Sequence, residues 1–276
     1  MREIITSRQN SRIKDIRALS DKKGRARTGL FRYDGVKLFR DSYYTTETVA
    51  VVLREPVSDF IWHEVEKALS EGKISEDKLL FVSESVFDTL TEESSPEGII
   101  TVAKRLDNLH VFLECSNLDV LSGKKLLLAE SIRDPGNLGT VMRSCGALGI
   151  DTLILSDDCA DLYNPKTVRS SMGALFRLPT VTVPRENMPS LVSALRQRGR
   201  RVFAAALREN ALRIGELALR DGDCFVIGNE GHGLSEEIID ACDSAAIIPM
   251  TEGSESLNAA AAAAICIWET VRASQH

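Results

Sequence analysis

At 276 residues, 43% hydrophobic and 27% charged, the chain has the composition of a soluble globular protein built as one large domain or two ordinary ones. No apolar run of about 18 residues is present to span a bilayer, and the start "MREIITSRQN" has no apolar core of the secretory kind, so a cytoplasmic protein is expected. The formal net charge of −6 hides two unlike parts: residues 1–40 carry 12 Lys and Arg against 4 Asp and Glu, a net of +8, and the remainder carries 22 against 36, a net of −14.

The elements follow in chain order. A basic helix is expected near Ser11 to Asp21, inside a stretch that interleaves Arg and Lys with aromatics as a phosphate-tracking surface would, although solvated helix faces share that pattern. Next come an apolar strand "TVAVVL" (Thr48 to Leu53), a helix around Asp59 to Glu71 and a strand "KLLFVS" (Lys78 to Ser83), together a small α/β unit. The charge-broken stretch from Arg105 to Lys125 has no strong periodicity. It divides the chain into a first domain at 1–105, a linker at 106–121 and a second domain at 122–276. In the second, the strands "KLLLAE", "DTLILS", "RRVFAAAL", "DCFVIG" and "AAIIPM" alternate with helical stretches, the pattern of a parallel sheet covered on both faces.

In such sheets ligands sit at the carboxyl ends of the strands, and three loops there are rich in Gly, Asn and charge. They are "SIRDPGNLGTVMRSCGALGI" (Ser131 to Ile150), "VIGNEGHGLS" (Val226 to Ser235) and "IPMTEGSESLNAAA" from Ile247 onward. In the first, a Pro135–Gly136 turn leads into a helix with Asn137 at its start and Arg143 nearly two turns later. A dinucleotide site is disfavoured, because "GNEGHG" reverses the spacing of a Rossmann glycine loop; a Walker lysine and a nucleophile-elbow serine are also lacking. Gly228, Gly231 and Gly233 could each be plain turn residues. Cys115, Cys145, Cys159, Cys224, Cys242 and Cys266 form no CxxC pair, and His63, His110, His232 and His276 are scattered, so buried thiols and no metal are expected. The run Ala259 to Ala264 is helical by propensity, with Ser256 and Asn258 where capping side chains belong. It suits either a plain buried C-terminal helix or one approached closely by other backbone or a ligand.

Taken together, "DPGNLGTVMRSCGALGI", "VIGNEGHGLS" and "IPMTEGSESLNAAAAAA" resemble, in order, the three motifs of the SpoU-type RNA ribose 2′-O-methyltransferases of the SPOUT superfamily. The first 100 residues, from "ITSRQNSRIK", are similar to that family's small substrate-binding domain. The resemblance implies an α/β fold in two parts: a ribosomal-protein-L30e-like domain, then a parallel-sheet catalytic domain with a C-terminal trefoil knot cradling S-adenosylmethionine. It implies cofactor contacts from Gly228, Asn229, Gly231, Ile248, Met250 and Leu257, and catalytic or orienting roles for Asn137, Arg143, Glu230, Ser256 and Asn258. A guanidinium is effectively always protonated, so Arg143 is assigned to the phosphate beside the target ribose and to developing alkoxide charge, not to proton abstraction. "YNPKTVRSSMGALFRLP" (Tyr163 to Pro179) resembles a further RNA-facing segment. RNA contacts are therefore expected from Arg8, Lys22, Lys23, Arg25, Arg27, Lys166, Arg169 and Arg177. The implied activity is methylation of a ribose 2′-hydroxyl in structured RNA, ribosomal before transfer RNA, by a homodimer without metal or membrane. An RNA-binding protein of the same fold without catalysis, and a nucleotide-dependent enzyme of small molecules, are the alternatives.

Overall fold

The structure is a computed structural model that describes residues 3–112, 121, 124–229, 231–251 and 256–273. The chain forms two compact units that do not follow a single cut. One comprises Met1–Leu106 with Asp161–Phe176, the other Asp107–Ala160 with Arg177–His276.

The first unit contains β1 (Ile4–Ile5), α1 (Ser11–Ala18), α2 (Lys22–Thr28), β2 (Leu30–Asp34), α3 (Val36–Ser42), β3 (Thr48–Glu55), α4 (Asp59–Ser70), β4 (Leu79–Ser83), α5 (Glu84–Phe87) and β5 (Ile99–Lys104). Its sheet runs β1-β4-β3-β5-β2. The two-residue period of β3 sorts its side chains. Val52 joins Ile13, Ile16, Val82 and Phe87 in one core, while Val51 and Leu53 join Phe39, Ile61 and Val65 in the other. Helices therefore cover both faces.

The basic helix expected near Ser11 to Asp21 is α1, which ends at Ala18, and a second helix, α2, follows from Lys22. Gly24 is required where they meet: a Cβ there would lie 1.9 Å from the carbonyl oxygen of Ala18. Beside it Arg25 is buried, and its Nη1 donates to the carbonyls of Leu19 (2.8 Å) and Ser20 (2.6 Å) that the end of α1 leaves free. Its Nε and Nη2 both donate to Asp161 Oδ2, at 3.0 and 2.6 Å. That pairing helps hold the segment after Asp161 in this unit. There α7 (Pro165–Ser170) contacts β2, and Tyr163 and Phe176 pack on Phe31 and Tyr33.

The second unit contains β6 (His110–Phe112), β7 (Leu126–Ala129), α6 (Pro135–Leu148), β8 (Thr152–Ser156), β9 (Thr180–Val183), α8 (Met188–Gln197), β10 (Val202–Ala205), β11 (Leu212–Arg213), β12 (Cys224–Ile227), α9 (Glu236–Ala241), β13 (Ser244–Ile247) and α10 (Ala259–Ala273). The strands form one sheet, β11-β13-β10-β12-β7-β8-β9-β6, parallel at every pairing. β6, β9 and β11 are not among the strands read from the sequence; β6 and β11, of three and two residues, are too short for a period to show. Leu128, Val226 and Ala204 share a core with Leu191 and Val192 of α8 and Ile238 of α9. α6 buries Leu138, Val141, Met142 and Cys145, a helical stripe.

α10 packs against α6 and β12. It buries Ala259, Ala260, Ala263, Cys266, Ile267, Thr270 and Val271. The alanines thus form the first turns of a packed stripe, and small side chains let the helix lie close to its neighbours. Among the described residues, no helix is long and apolar enough to cross a membrane.

Removing one partner of a buried ion pair strands the other charge. Arg25→Ala is expected to destabilise the protein by roughly 3–5 kcal/mol in denaturant unfolding, whereas exposed Lys23→Ala should stay within about 0.5 kcal/mol.

Candidate functional site

The parallel sheet brings the carboxyl ends of β10, β12 and β13 side by side, and a cavity of about 650 Å³ opens there. Three chain segments line it: Ala205 to Arg208 after β10; Ile227 to Asn229 with Gly231 to Leu234 after β12; and Ile247, Ile248 and Met250 after β13, continued by Ser256 and Leu257. Ala259 and Ala262 of α10 close the wall. Gly228, Asn229, Gly231, Ile248, Met250 and Leu257, singled out from the sequence as cofactor contacts, are therefore brought together at one cavity, with Ser256 beside them.

The loop after β12 is shaped by two residues. Asn229 uses its whole side chain on the loop: Nδ2 donates to the Ser131 carbonyl at 2.8 Å, and Oδ1 accepts from the amides of Gly231 (2.8 Å) and His232 (3.2 Å). Its main chain exchanges two hydrogen bonds with Gly233, both 3.0 Å. Gly228 lies so close to this return that an added Cβ would sit 2.4 Å from the Gly233 carbonyl carbon. Gly233 turns the chain at φ +66°. Gly228 and Gly233 therefore need to be glycine for different reasons, close approach and left-handed backbone.

Glu130, one residue past β7, escaped the sequence reading. Its carboxylate is buried and accepts from the Ser235 amide and hydroxyl, both at 2.8 Å, and from Arg185 Nε at 3.1 Å. Ser235 is the N-cap of α9, so this one side chain anchors the far end of the cavity loop. A carboxylate just past a central parallel strand was the available signal.

The first and third motif segments also meet. The Asp134 side chain caps α6 by accepting from the Asn137 amide at 2.8 Å. The Asn137 Oδ1 accepts from Asn258 Nδ2 at 3.0 Å. Asn258 Oδ1 in turn caps α10 through the amides of Ala260 and Ala261, at 2.9 and 3.3 Å. Arg143 is exposed on α6, six residues after Asn137, and no ion pair holds its guanidinium among the described residues. Glu230 lies outside the described residues. Burial pushes the thiols of Cys224, Cys242 and Cys266 up to about 12, and Cys159 up to about 11, so none of these offers a thiolate nucleophile at neutral pH.

The expected RNA contacts fall mainly in the first unit. Lys22, Lys23 and Arg27 project from α2 into solvent. Arg8 is exposed and donates to the Ser85 carbonyl at 3.1 Å. Lys166 and Arg169 are exposed on α7, Arg169 paired with Glu93 at 2.5 Å. Arg177 is exposed in the second unit. Arg25 departs from the expectation: its guanidinium is buried and every one of its three nitrogens is bonded within the unit, which withdraws it from an RNA phosphate.

Fold and site together define a two-unit α/β protein whose cavity is built from loops at the carboxyl edge of a parallel sheet. The chain belongs to the SpoU rRNA Methylase family, which residues 124–268 match. Residues 10–101 match the MRM3-like substrate binding domain. Over 269 residues the chain is 31% identical to the 23S rRNA (guanosine(2553)-2′-O)-methyltransferase RlmP of Bacillus subtilis (strain 168), covering 96% of this chain and 97% of that one. A crystal structure of an RNA 2′-O ribose methyltransferase is similar with a TM-score of 0.81 at 27% identity, covering 98% and 99% of the two chains. The AdoMet-bound rRNA methyltransferase from Sinorhizobium meliloti is similar at 0.77 and 28%, covering 98% and 97%.

Glu130→Ala leaves the Ser235 amide and Arg185 without their acceptor. It is expected to lower stability by roughly 2–3 kcal/mol and to speed hydrogen exchange at the amides of residues 231–235, with Glu130→Gln less damaging.

Proposed function

We propose that the protein transfers the methyl group of S-adenosylmethionine to a ribose 2′-hydroxyl of 23S ribosomal RNA. The observation that carries this reading is the meeting of the second and third motif loops at one cavity on the carboxyl edge of the sheet, with the first motif tied to the third by the Asn137–Asn258 hydrogen bond. A relative similar over nearly the whole chain and acting on 23S rRNA favours ribosomal over transfer RNA. The cavity fits the cofactor: its volume falls in the range of about 300–1,000 Å³ usual for small-molecule sites. Its lining combines apolar side chains with glycine backbone, as an adenosine requires. The bound cofactor would supply an electrophilic methyl group on a sulfonium.

The residues then divide the work. Gly228, Ile248 and Leu257 hold the cofactor by main chain and apolar contact, with Met250 and Gly231 beside them, and Asn229 keeps the loop in shape. Arg143, exposed and without an ion-pair partner among the described residues, takes the phosphate next to the target ribose and stabilises negative charge developing on the 2′-oxygen. The Asn137–Asn258 hydrogen bond fixes the start of the Arg143 helix against the start of α10. Ser256 faces the cavity, where it can orient the hydroxyl. Glu230 takes its orienting role from its place in the motif. The first unit binds substrate through the exposed cations of α2 and α7, phosphate contacts that position RNA without reading its sequence. A homodimer, a trefoil knot in the segment leading to α10 and a cytoplasmic location, where ribosomal RNA is found, complete the proposal.

Mapping of 2′-O-methyl groups in 23S rRNA, with and without the gene, tests the activity; an unchanged map would overturn it. Arg143→Ala is expected to lower methyl transfer by roughly 10²–10³-fold while cofactor affinity, read by calorimetry, stays within about twofold. Loss of both in proportion would place Arg143 in the cofactor site instead.

Replacing Lys22, Lys23 and Arg27 together by alanine should weaken binding of 23S rRNA fragments whatever their sequence. The slope of log affinity against log salt should flatten by about 2–3 units. An unchanged affinity and slope would show that α2 is only a solvated face.

A further inference from the structure

Among the described residues lining the cavity, Arg208 and Glu236 are the only ones drawn from Lys, Arg, Asp and Glu. They come from different elements. Arg208 lies three residues past β10, and Glu236 is the first residue of α9. Their side chains meet in an ion pair, Arg208 Nη2 to Glu236 Oε2, while remaining 40% and 71% exposed. The pairing raises the guanidinium pKa and lowers that of the carboxylate, so both are charged at neutral pH.

An exposed ion pair adds little to folding. Neither charge sits in a core, and neither anchors a loop as Glu130 does. Their shared position at the cavity points to a ligand. Much of the rest of the lining is glycine, alanine and aliphatic side chain, suited to the nucleoside part of a ligand. A guanidinium and a carboxylate held side by side are the complement of an α-amino acid zwitterion. The planar fork of an arginine matches a carboxylate with two parallel hydrogen bonds, and a glutamate accepts from an ammonium.

We propose that Arg208 and Glu236 form the subsite for the amino acid end of the cofactor, Arg208 taking the α-carboxylate and Glu236 the α-ammonium. The inference rests on the reading of the cavity as the S-adenosylmethionine site. In the free protein the two side chains neutralise each other; in the complex each exchanges its partner for the opposite charge on the ligand. One weak surface pair is thereby exchanged for two pairs to the ligand, and the weakness of the exposed pair keeps the cost of breaking it small.

Three ligands separate the contributions in calorimetric titrations of the full chain. S-adenosylhomocysteine carries both groups, S-adenosyl-3-thiopropylamine only the ammonium, and 5′-methylthioadenosine neither. Arg208→Ala should weaken S-adenosylhomocysteine roughly tenfold and leave the other two within about twofold. Glu236→Gln should weaken S-adenosylhomocysteine and the thiopropylamine, each by roughly tenfold, and spare methylthioadenosine. Both side chains are exposed, so each variant without ligand should melt with the parent protein. Parallel losses for all three ligands, or no loss for any, would overturn the subsite. A parent protein that binds none of the three would overturn the assignment of the cavity itself.

Discussion

The cavity exists because the loop after β12 is held open in one shape, and that shape depends on a buried carboxylate one strand away. Glu130 sits past the end of β7 and binds Ser235 by amide and hydroxyl at once. At the near end of the loop, Asn229 reaches back to the carbonyl of Ser131, the neighbour of Glu130. Two consecutive residues after β7 thus hold both ends of a loop whose first residues lie some 100 positions later in the chain. Buried polar groups that are fully paired specify a single arrangement, and a half-paired set would be worse than none. The pairing of β7 with β12 makes the arrangement possible, because it places the two strand ends side by side.

Arg25 plays the corresponding part in the first unit. It closes the end of α1 and binds Asp161, a residue that the order of the chain assigns to the catalytic stretch. Tyr163 and Phe176 then complete an aromatic cluster on β2. The consequence is electrostatic as well as structural. Lys166 and Arg169 are gathered into the same compact unit as Lys22, Lys23 and Arg27, so the cations expected to meet phosphate belong mostly to one body. Arg25 and Arg32 of the basic stretch are buried, while Lys22, Lys23 and Arg27 remain exposed to solvent or RNA.

The alanine run takes its meaning from its neighbours. Alanine alone ensures a helix, and the stripe from Ala259 to Val271 packs against α6 and β12 with little bulk in its first turns. Ala259 and Ala262 also form part of the cavity wall, where larger side chains would occupy the space that Ser256 and Leu257 face. Asn258 joins the two functions by capping α10 while holding Asn137 at the start of α6.

Local sequence determined most of the central strands, the helix carrying Arg143 and two of the loops that meet at the cavity, those after β12 and β13. Continuous apolar strands, capping residues and glycine-rich turns act over a few residues, so a linear reading can find them. The chain order could not reveal that Asp161–Phe176 folds with the first unit, since an arginine 136 positions away draws it there. Nor could charge counting separate Arg25 from Lys22, Lys23 and Arg27, because burial depends on what packs above a side chain. Glu130 and Ser235, and Arg208 and Glu236, became pairs only when parallel strands aligned their ends. Sheet order is set by contacts between distant segments, and only the tertiary structure could decide which charges would face one another.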